Sequence, residues 1–388
     1  MKILNINSYY YSSSVHRQFQ LAIREKGIES ITFAPLAVGY KPREECRYEE
    51  EKYVKKFECF NNRDRYIFHL KHKKIQNTAF KEFNFEEFDC IHAHSLFSNG
   101  YIALKIYEEY GIPYIVTVRD TDVNTFFRKM PHLRNLGNRI LLNASAVVFL
   151  SQAYRDHVIN KYVKQKKIIV GKSHIIPNGI DEFWLNNKGI PKSIQNKNTI
   201  NILQVGTLSR RKNVPVSVRA LELLIKKGYN VKFTLVGKIV DERIKKLINE
   251  KSFINYISPK PAHELLDIYR ENDIFVMPSI TETFGLVYAE AISQGLPVIY
   301  TRGQGFDKQF EEGIVGYSVD SSDVNEMTER LIDIITNYDD ISRNCIELSS
   351  TFNWTKISER YKEIYLRCKK INEIINLYES WKRDYFDK

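Results

Sequence analysis

Between residues 201 and 291 lie a lysine, two arginines and two glutamates whose spacing could hold a pyrophosphate and activate it. The first stretch reads Asn201-Ile202-Leu203-Gln204-Val205-Gly206-Thr207-Leu208-Ser209-Arg210-Arg211-Lys212-Asn213. An apolar run enters a loop with one glycine and three cations, and an amphipathic helix follows from 214. Gly206 lets the backbone approach a ligand closely. Lys212, with Arg210 or Arg211, can neutralise a diphosphate. Cations ahead of a helix oppose its dipole unless an anion is present. The competing reading is a charged turn facing solvent.

The second stretch is more specific: Pro278-Ser279-Ile280-Thr281-Glu282-Thr283-Phe284-Gly285-Leu286-Val287-Tyr288-Ala289-Glu290-Ala291. It follows a strand at 274–277. Glu282 falls in a loop, and a helix begins near Phe284–Leu286. The backbone N–H groups of Thr283, Phe284, Gly285 and Leu286 then form an anion site. Glu290, about one and a half turns into that helix, can accept hydrogen bonds from ribose hydroxyls. Glu282 can accept from sugar hydroxyls. As plain structure, Glu282 would be a cap and Glu290 a surface charge. A carboxylate among Ala289, Ala291 and Ile292 nevertheless needs a partner. A third loop, Tyr300–Asp307, carries Gly303 and Gly305 after a strand and is placed on the far side of the same pocket.

The elements that must position these residues alternate strand and helix along the whole chain. Strands are expected at 3–6, 31–34, 90–93, 114–118 and 147–150, then again at 202–205, 231–236, 254–257, 274–277 and 297–300. Helices at 15–26, 100–110, 214–227, 242–250, 263–271 and 286–294 separate them. This rhythm implies two parallel sheets, each covered on both faces. Residues 35–88 read as irregular, and 188–198 as a linker. Long helices are expected at 324–337 and 357–370.

The first half offers weaker candidates. The loop after its first strand is Tyr9-Tyr10-Tyr11-Ser12-Ser13-Ser14, where Ser13 and Ser14 are small enough to admit a ligand. Among Cys90-Ile91-His92-Ala93-His94, His92 reads as a core histidine and His94 as the one facing a cleft. Arg119 and Asp120 end the 114–118 strand. Asp120-Thr121-Asp122 is the nearest approach to a metal-binding Asp-x-Asp, and a turn explains it better.

Composition narrows the classes. Residues 1–176 carry ten of the eleven net positive charges, so basic surface is concentrated there. Such surface can meet an anionic membrane or simply aid solubility. No recognised nucleic-acid motif accompanies it, and no nucleic-acid partner is expected. The five cysteines are scattered and read as reduced thiols. The N-terminus lacks the apolar core of a signal peptide, and no run approaches the ~20 apolar residues of a membrane span. The expected location is cytoplasmic, with peripheral contact at the inner membrane face. Trp381, Tyr385 and Phe386, among lysines, add a second membrane candidate.

Taken together, Pro177-Asn178-Gly179-Ile180-Asp181, Val205-Gly206 with Lys212-Asn213, Pro278-Ser279 with Glu282 and Glu290, and Gly295-Leu296-Pro297-Val298 resemble glycosyltransferase family 4. The resemblance covers about 175–320 and implies a GT-B fold, with two facing Rossmann-like domains and a cleft between them. It implies domains at 1–176 and 177–356, with the final helix packing back on the first. It also implies a nucleotide-sugar donor, UDP expected, on the second domain, and a glycan or lipid-linked acceptor on the first. Retention of anomeric configuration, no metal and no further cofactor follow from it. By the same resemblance Glu282 contacts the donor sugar, Glu290 the ribose, and Lys212 with Arg210 or Arg211 the leaving diphosphate. Arg119 joins the catalytic candidates, although the family often has histidine there. The serine loop replaces a common glycine-rich one, and Thr207 stands where arginine is frequent. The alternatives are an inactive GT-B accessory subunit and a nucleic-acid-binding protein.

Overall fold

The computed structural model describes residues 1–42, Cys46, 52–195 and 198–386. The chain divides into two compact units. Unit 1 comprises Met1–Leu150, Arg155–Pro177 and Trp354–Lys388, and unit 2 comprises Ser151–Tyr154 and Asn178–Asn353.

Unit 1 is built on strands β1 (Lys2–Ile6), β2 (Glu29–Ala37), β3 (Val54–Phe60), β4 (Cys90–Ala93), β5 (Tyr114–Val118), β6 (Ala146–Phe149) and β7 (Ser173–Ile175). They form one sheet in the order β3-β2-β1-β4-β5-β6-β7, and every pairing is parallel. Residues in β4, β5 and β6 are buried throughout, because helices cover both faces of a parallel sheet.

Unit 2 repeats the plan with β8 (Ile200–Val205), β9 (Val231–Val236), β10 (Ile254–Ile257), β11 (Ile274–Val276), β12 (Val298–Thr301) and β13 (Gly316–Val319). Their order is β10-β9-β8-β11-β12-β13. In both sheets the winding direction reverses once, between β1 and β4 and between β8 and β11. Loops leaving the carboxyl ends of strands at such a reversal diverge and leave a crevice.

Two expectations need correction. Residues 35–88 are not irregular. They hold β3 and the helix Phe68–Glu82. Strand β3 escaped notice because it is an edge strand with Lys55 and Lys56 exposed, the lysines that discourage edge-to-edge pairing. The linker at 188–198 is also more than a spacer. Lys192 Nζ donates to the carbonyls of Tyr269, Arg270 and Asn272 at 3.2, 2.9 and 2.6 Å, capping the helix Ala262–Glu271.

Candidate functional site

In unit 2 the loops after β8 and β11, on either side of the reversal, bring three side chains together. Lys212 ends a 3-10 turn, Arg210–Lys212. Its Nζ lies 2.7 Å from Glu282 Oε2 and 3.1 Å from Met277 Sδ. Both partners of this ion pair are 8% exposed. Arg211 Nη1 stands 3.4 Å from the same Glu282 oxygen and donates to the Thr281 carbonyl at 2.9 Å. Burial lowers the Lys212 pKa, and the Glu282 charge works against that shift.

The backbone around this cluster is tightly specified. Asn213 adopts a left-handed conformation, φ 57°. Its Nδ2 donates to the carbonyls of Pro278 and Ser321 at 3.0 and 2.6 Å, which ties the lysine turn to the glutamate loop. The Ile280 N–H donates to Arg211 O at 2.9 Å. On the other side Gln304 Oε1 accepts from the Glu282 N–H at 2.9 Å. Gly305 packs so closely that a Cβ there would fall 2.0 Å from the Thr283 carbonyl carbon. The third glycine loop therefore braces the glutamate loop from behind.

Gly285 ends that loop at φ 77° and precedes the helix Leu286–Ser293, with Thr283 and Phe284 just before it. A Cβ on Gly285 would meet the Tyr288 ring at 2.6 Å. Gly206, at φ 136°, presents bare backbone beside Lys212, whose Cε would be 3.7 Å from an added Cβ.

Glu290 sits apart from this trio. Its Oε2 accepts from the Tyr269 hydroxyl at 3.1 Å, on the helix that Lys192 caps. Burial pushes its pKa up to about 7; the Tyr269 bond lowers it, and the Asp181 charge adds to the rise. The folded chain therefore holds a proton that an unfolded glutamate releases near 4.5. That contribution to stability is complete below about pH 4 and disappears as pH rises through 7. Melting curves from pH 5 to 8 should show a falling component that Glu290→Gln removes; an unchanged profile would reject it.

Arg210 stays outside the trio. It is exposed, and its charge depresses the Asp241 pKa after the larger effects of Arg243 and burial. Tyr269, Gln304 and Asn213 all position site residues; Asn213 belongs to a quoted motif and Gln304 to the 300–307 loop, but neither pattern assigns them this role, and no motif marks Tyr269.

In unit 1, His92 is satisfied on both ring nitrogens, by the Tyr365 hydroxyl at 2.6 Å and Thr117 Oγ1 at 2.9 Å. His94 does not face outward as expected. It is 1% exposed, stacked on His92 with centroids 4.0 Å apart, and its Nε2 meets Asn5 Oδ1 at 2.9 Å. The aromatic rings of the neighbouring helix and strands leave it no way out. Ser13 has an extended backbone just ahead of the helix Ser14–Glu25, and Ser14 is exposed. Asp120 opens a helical stretch rather than the expected turn, and accepts from Asn124 Nδ2 at 2.6 Å one helical turn on. Arg119 is partly buried, with Nε donating to the His94 carbonyl at 2.8 Å.

Comparison with known proteins bears on the family and the fold. Residues 187–349 match the family model described as glycosyl transferases group 1, and residues 17–182 match glycosyltransferase family 4. A D-inositol 3-phosphate glycosyltransferase of Paenarthrobacter aurescens is 26% identical over 302 residues, covering 71% of this chain and 73% of its own. The structure of the lipopolysaccharide outer core galactosyltransferase WaaB superposes with a TM-score of 0.71 at 16% identity, covering 93% of this chain and 100% of that one. Anabaena Alr3699/HepE in complex with UDP and glucose gives 0.67 at 18% identity, covering 94% and 99%. Two tandem parallel sheets, and two family models that follow one another along the chain, make this protein a member of glycosyltransferase family 4 with the GT-B fold, a hexosyltransferase that uses nucleotide-sugar donors.

Proposed function

We propose that the protein transfers a sugar from a UDP-sugar, with retention of configuration, to a hydroxyl of a glycan or lipid-linked glycan in cell-surface polysaccharide assembly. The observation that carries this reading is the buried Lys212–Glu282 pair flanked by Arg211 at the reversal point of the second sheet. Breaking a sugar–diphosphate bond develops negative charge on the departing oxygen. Lys212 and Arg211, held side by side at Glu282, support a preorganised role in meeting that charge. The backbone N–H groups of Phe284, Gly285 and Leu286, at the start of a helix, offer the second anion contact. Glu282 orients the donor sugar, and Glu290 accepts from the ribose. The acceptor hydroxyl attacks on the face from which the diphosphate leaves, and the departing oxygen takes its proton. No metal or added cofactor enters this scheme, because protein cations meet the phosphate charge.

The test is nucleotide release by the full chain from UDP-, GDP- and ADP-sugars, with and without extracted lipid-linked glycan. Acceptor-dependent UDP release is the expected result. Absence of any nucleotide-sugar binding would refute the reading.

Peripheral membrane contact has support at one place in unit 1. Tyr66, Ile67 and Leu70 are 91%, 57% and 44% exposed around the start of the helix Phe68–Glu82, beside exposed Arg63, Arg65 and Lys73. Apolar tips ringed by cations match an anionic lipid surface. Co-sedimentation with phosphatidylglycerol vesicles should fall severalfold in Tyr66→Ser/Ile67→Ser, which removes two apolar tips. Equal binding of variant and wild type would dismiss the patch. The side chains of Trp381, Tyr385 and Phe386 lie outside the described residues.

A further inference from the structure

Unit 1 holds a cation that the scheme above leaves without a task. Arg119 follows β5, next to β4 in the sheet, on the edge from which the β1 and β4 loops also emerge. Its Nε–H donates to the His94 carbonyl at 2.8 Å, which fixes the plane of the guanidinium. The two terminal nitrogens, with four N–H bonds, have no hydrogen-bond or ion-pair partner among the described residues.

The neighbouring carboxylate is already committed. Asp122 accepts from the backbone N–H groups of Leu96, Phe97 and Arg119 at 2.9, 3.0 and 2.8 Å, so both its oxygens are spent on the backbone. The nearby imidazoles bring no negative charge. His94 donates its Nε2–H to Asn5 Oδ1, and its Nδ1, like that of His16, is buried without a partner. Asn99, in the helix Ser98–Tyr110 that follows β4, has an unused donor as well. Its Oδ1 accepts from the Ser8 N–H at 3.2 Å, while its Nδ2, on a side chain 1% exposed, has no acceptor.

A partly buried guanidinium at this edge thus has both terminal nitrogens unengaged, and Asp122, whose charge acts on it through space, spends its hydrogen bonds on the backbone instead. Leaving such N–H groups unmet is expensive, and a planar fork of them matches a carboxylate or phosphate. We propose that Arg119 forms an oxyanion subsite of unit 1, selecting a substrate that bears a carboxylate or phosphate on its sugar. The oxyanion belongs to the acceptor, the substrate that the reading above assigns to unit 1. This inference rests on the reading of unit 1 as a substrate-binding unit of the transferase.

Calorimetric titration of the full chain tests this with two matched pairs of probes, glucose 6-phosphate against glucose and glucuronate against glucose, each with and without UDP. In the wild type the charged member of at least one pair should bind at least about tenfold more tightly. In Arg119→Gln that preference should shrink to within about twofold, and Arg119→Lys should keep part of it, since a point charge replaces the fork. Melting curves establish that each variant is folded. A wild type with no preference in either pair, or a preference that survives in folded Arg119→Gln, overturns the proposal. If UDP itself does not bind, the donor reading fails, while the pairs without nucleotide still report on Arg119.

Discussion

Replacing Lys212 by methionine should lower turnover by about 10²–10³-fold, the usual loss when one preorganised electrostatic stabiliser is removed. Methionine is chosen because the lysine stem is buried against Met277 Sδ, and an unbranched side chain of similar length keeps that packing. What disappears is the ammonium that would meet the developing charge. Arg211 remains 3.4 Å from Glu282 and supplies a residual cation, so some activity should persist. Initial rates of UDP release at saturating donor, alongside calorimetric UDP binding, separate the chemical step from affinity. A rate within about threefold of wild type, less than 1 kcal/mol in barrier, would remove Lys212 from the mechanism.

The second large effect concerns Glu282 and is as much structural as catalytic. With only the sequence, Lys212→Ala, Glu282→Ala and Glu290→Ala are each expected to abolish transfer and leave the fold intact. The ion pair changes this for Glu282. Its side chain and that of Lys212 are 11% and 10% exposed, so Glu282→Ala strands a nearly buried ammonium. Breaking such a pair from one side costs about 3–5 kcal/mol, tempered here by Arg211 and residual solvent access. The melting midpoint should drop clearly. Lys212→Met/Glu282→Gln removes both charges and should recover most of the stability while remaining inactive. Equal loss in single and double variants would show that the pair does not act as a unit.

How much of this was readable beforehand depended on whether a residue's role is local. The strand before Glu282 and the helix after it follow from apolar runs and a glycine, so 274–276 and 286–293 fell where expected within a residue or so. Lys212 and Glu282 were legible as types in loops after strands, although seventy positions separate them. Their direct contact was not, because it depends on β8 and β11 being neighbours. The partner of Glu290 could not be read either. Tyr269 sits on a helix whose pattern asks only for an apolar face, and nothing in that pattern distinguishes a ring that packs from a hydroxyl that also donates. His94 failed for a related reason. A strand-end position says that a histidine is near the edge of a sheet, but the rings that cover it come from Phe19 and His16 on the helix Ser14–Glu25. The lysines of β3 misled in the opposite direction, since edge protection looks like loop composition.

The helix Trp354–Phe386 belongs to the unit that begins the chain, although the whole of 178–353 precedes it. Its Tyr365 hydroxyl closes the bond to His92, and Trp354 Nε1 reaches Gln18 Oε1 at 2.9 Å. During synthesis the amino-terminal sheet must therefore wait, with these groups uncovered, until Trp354–Phe386 has left the ribosome. Unit 2 is nearly continuous in sequence and can finish folding earlier. A chain truncated after residue 353 should carry a protease-resistant carboxyl-side unit joined to an amino-terminal one that is still susceptible.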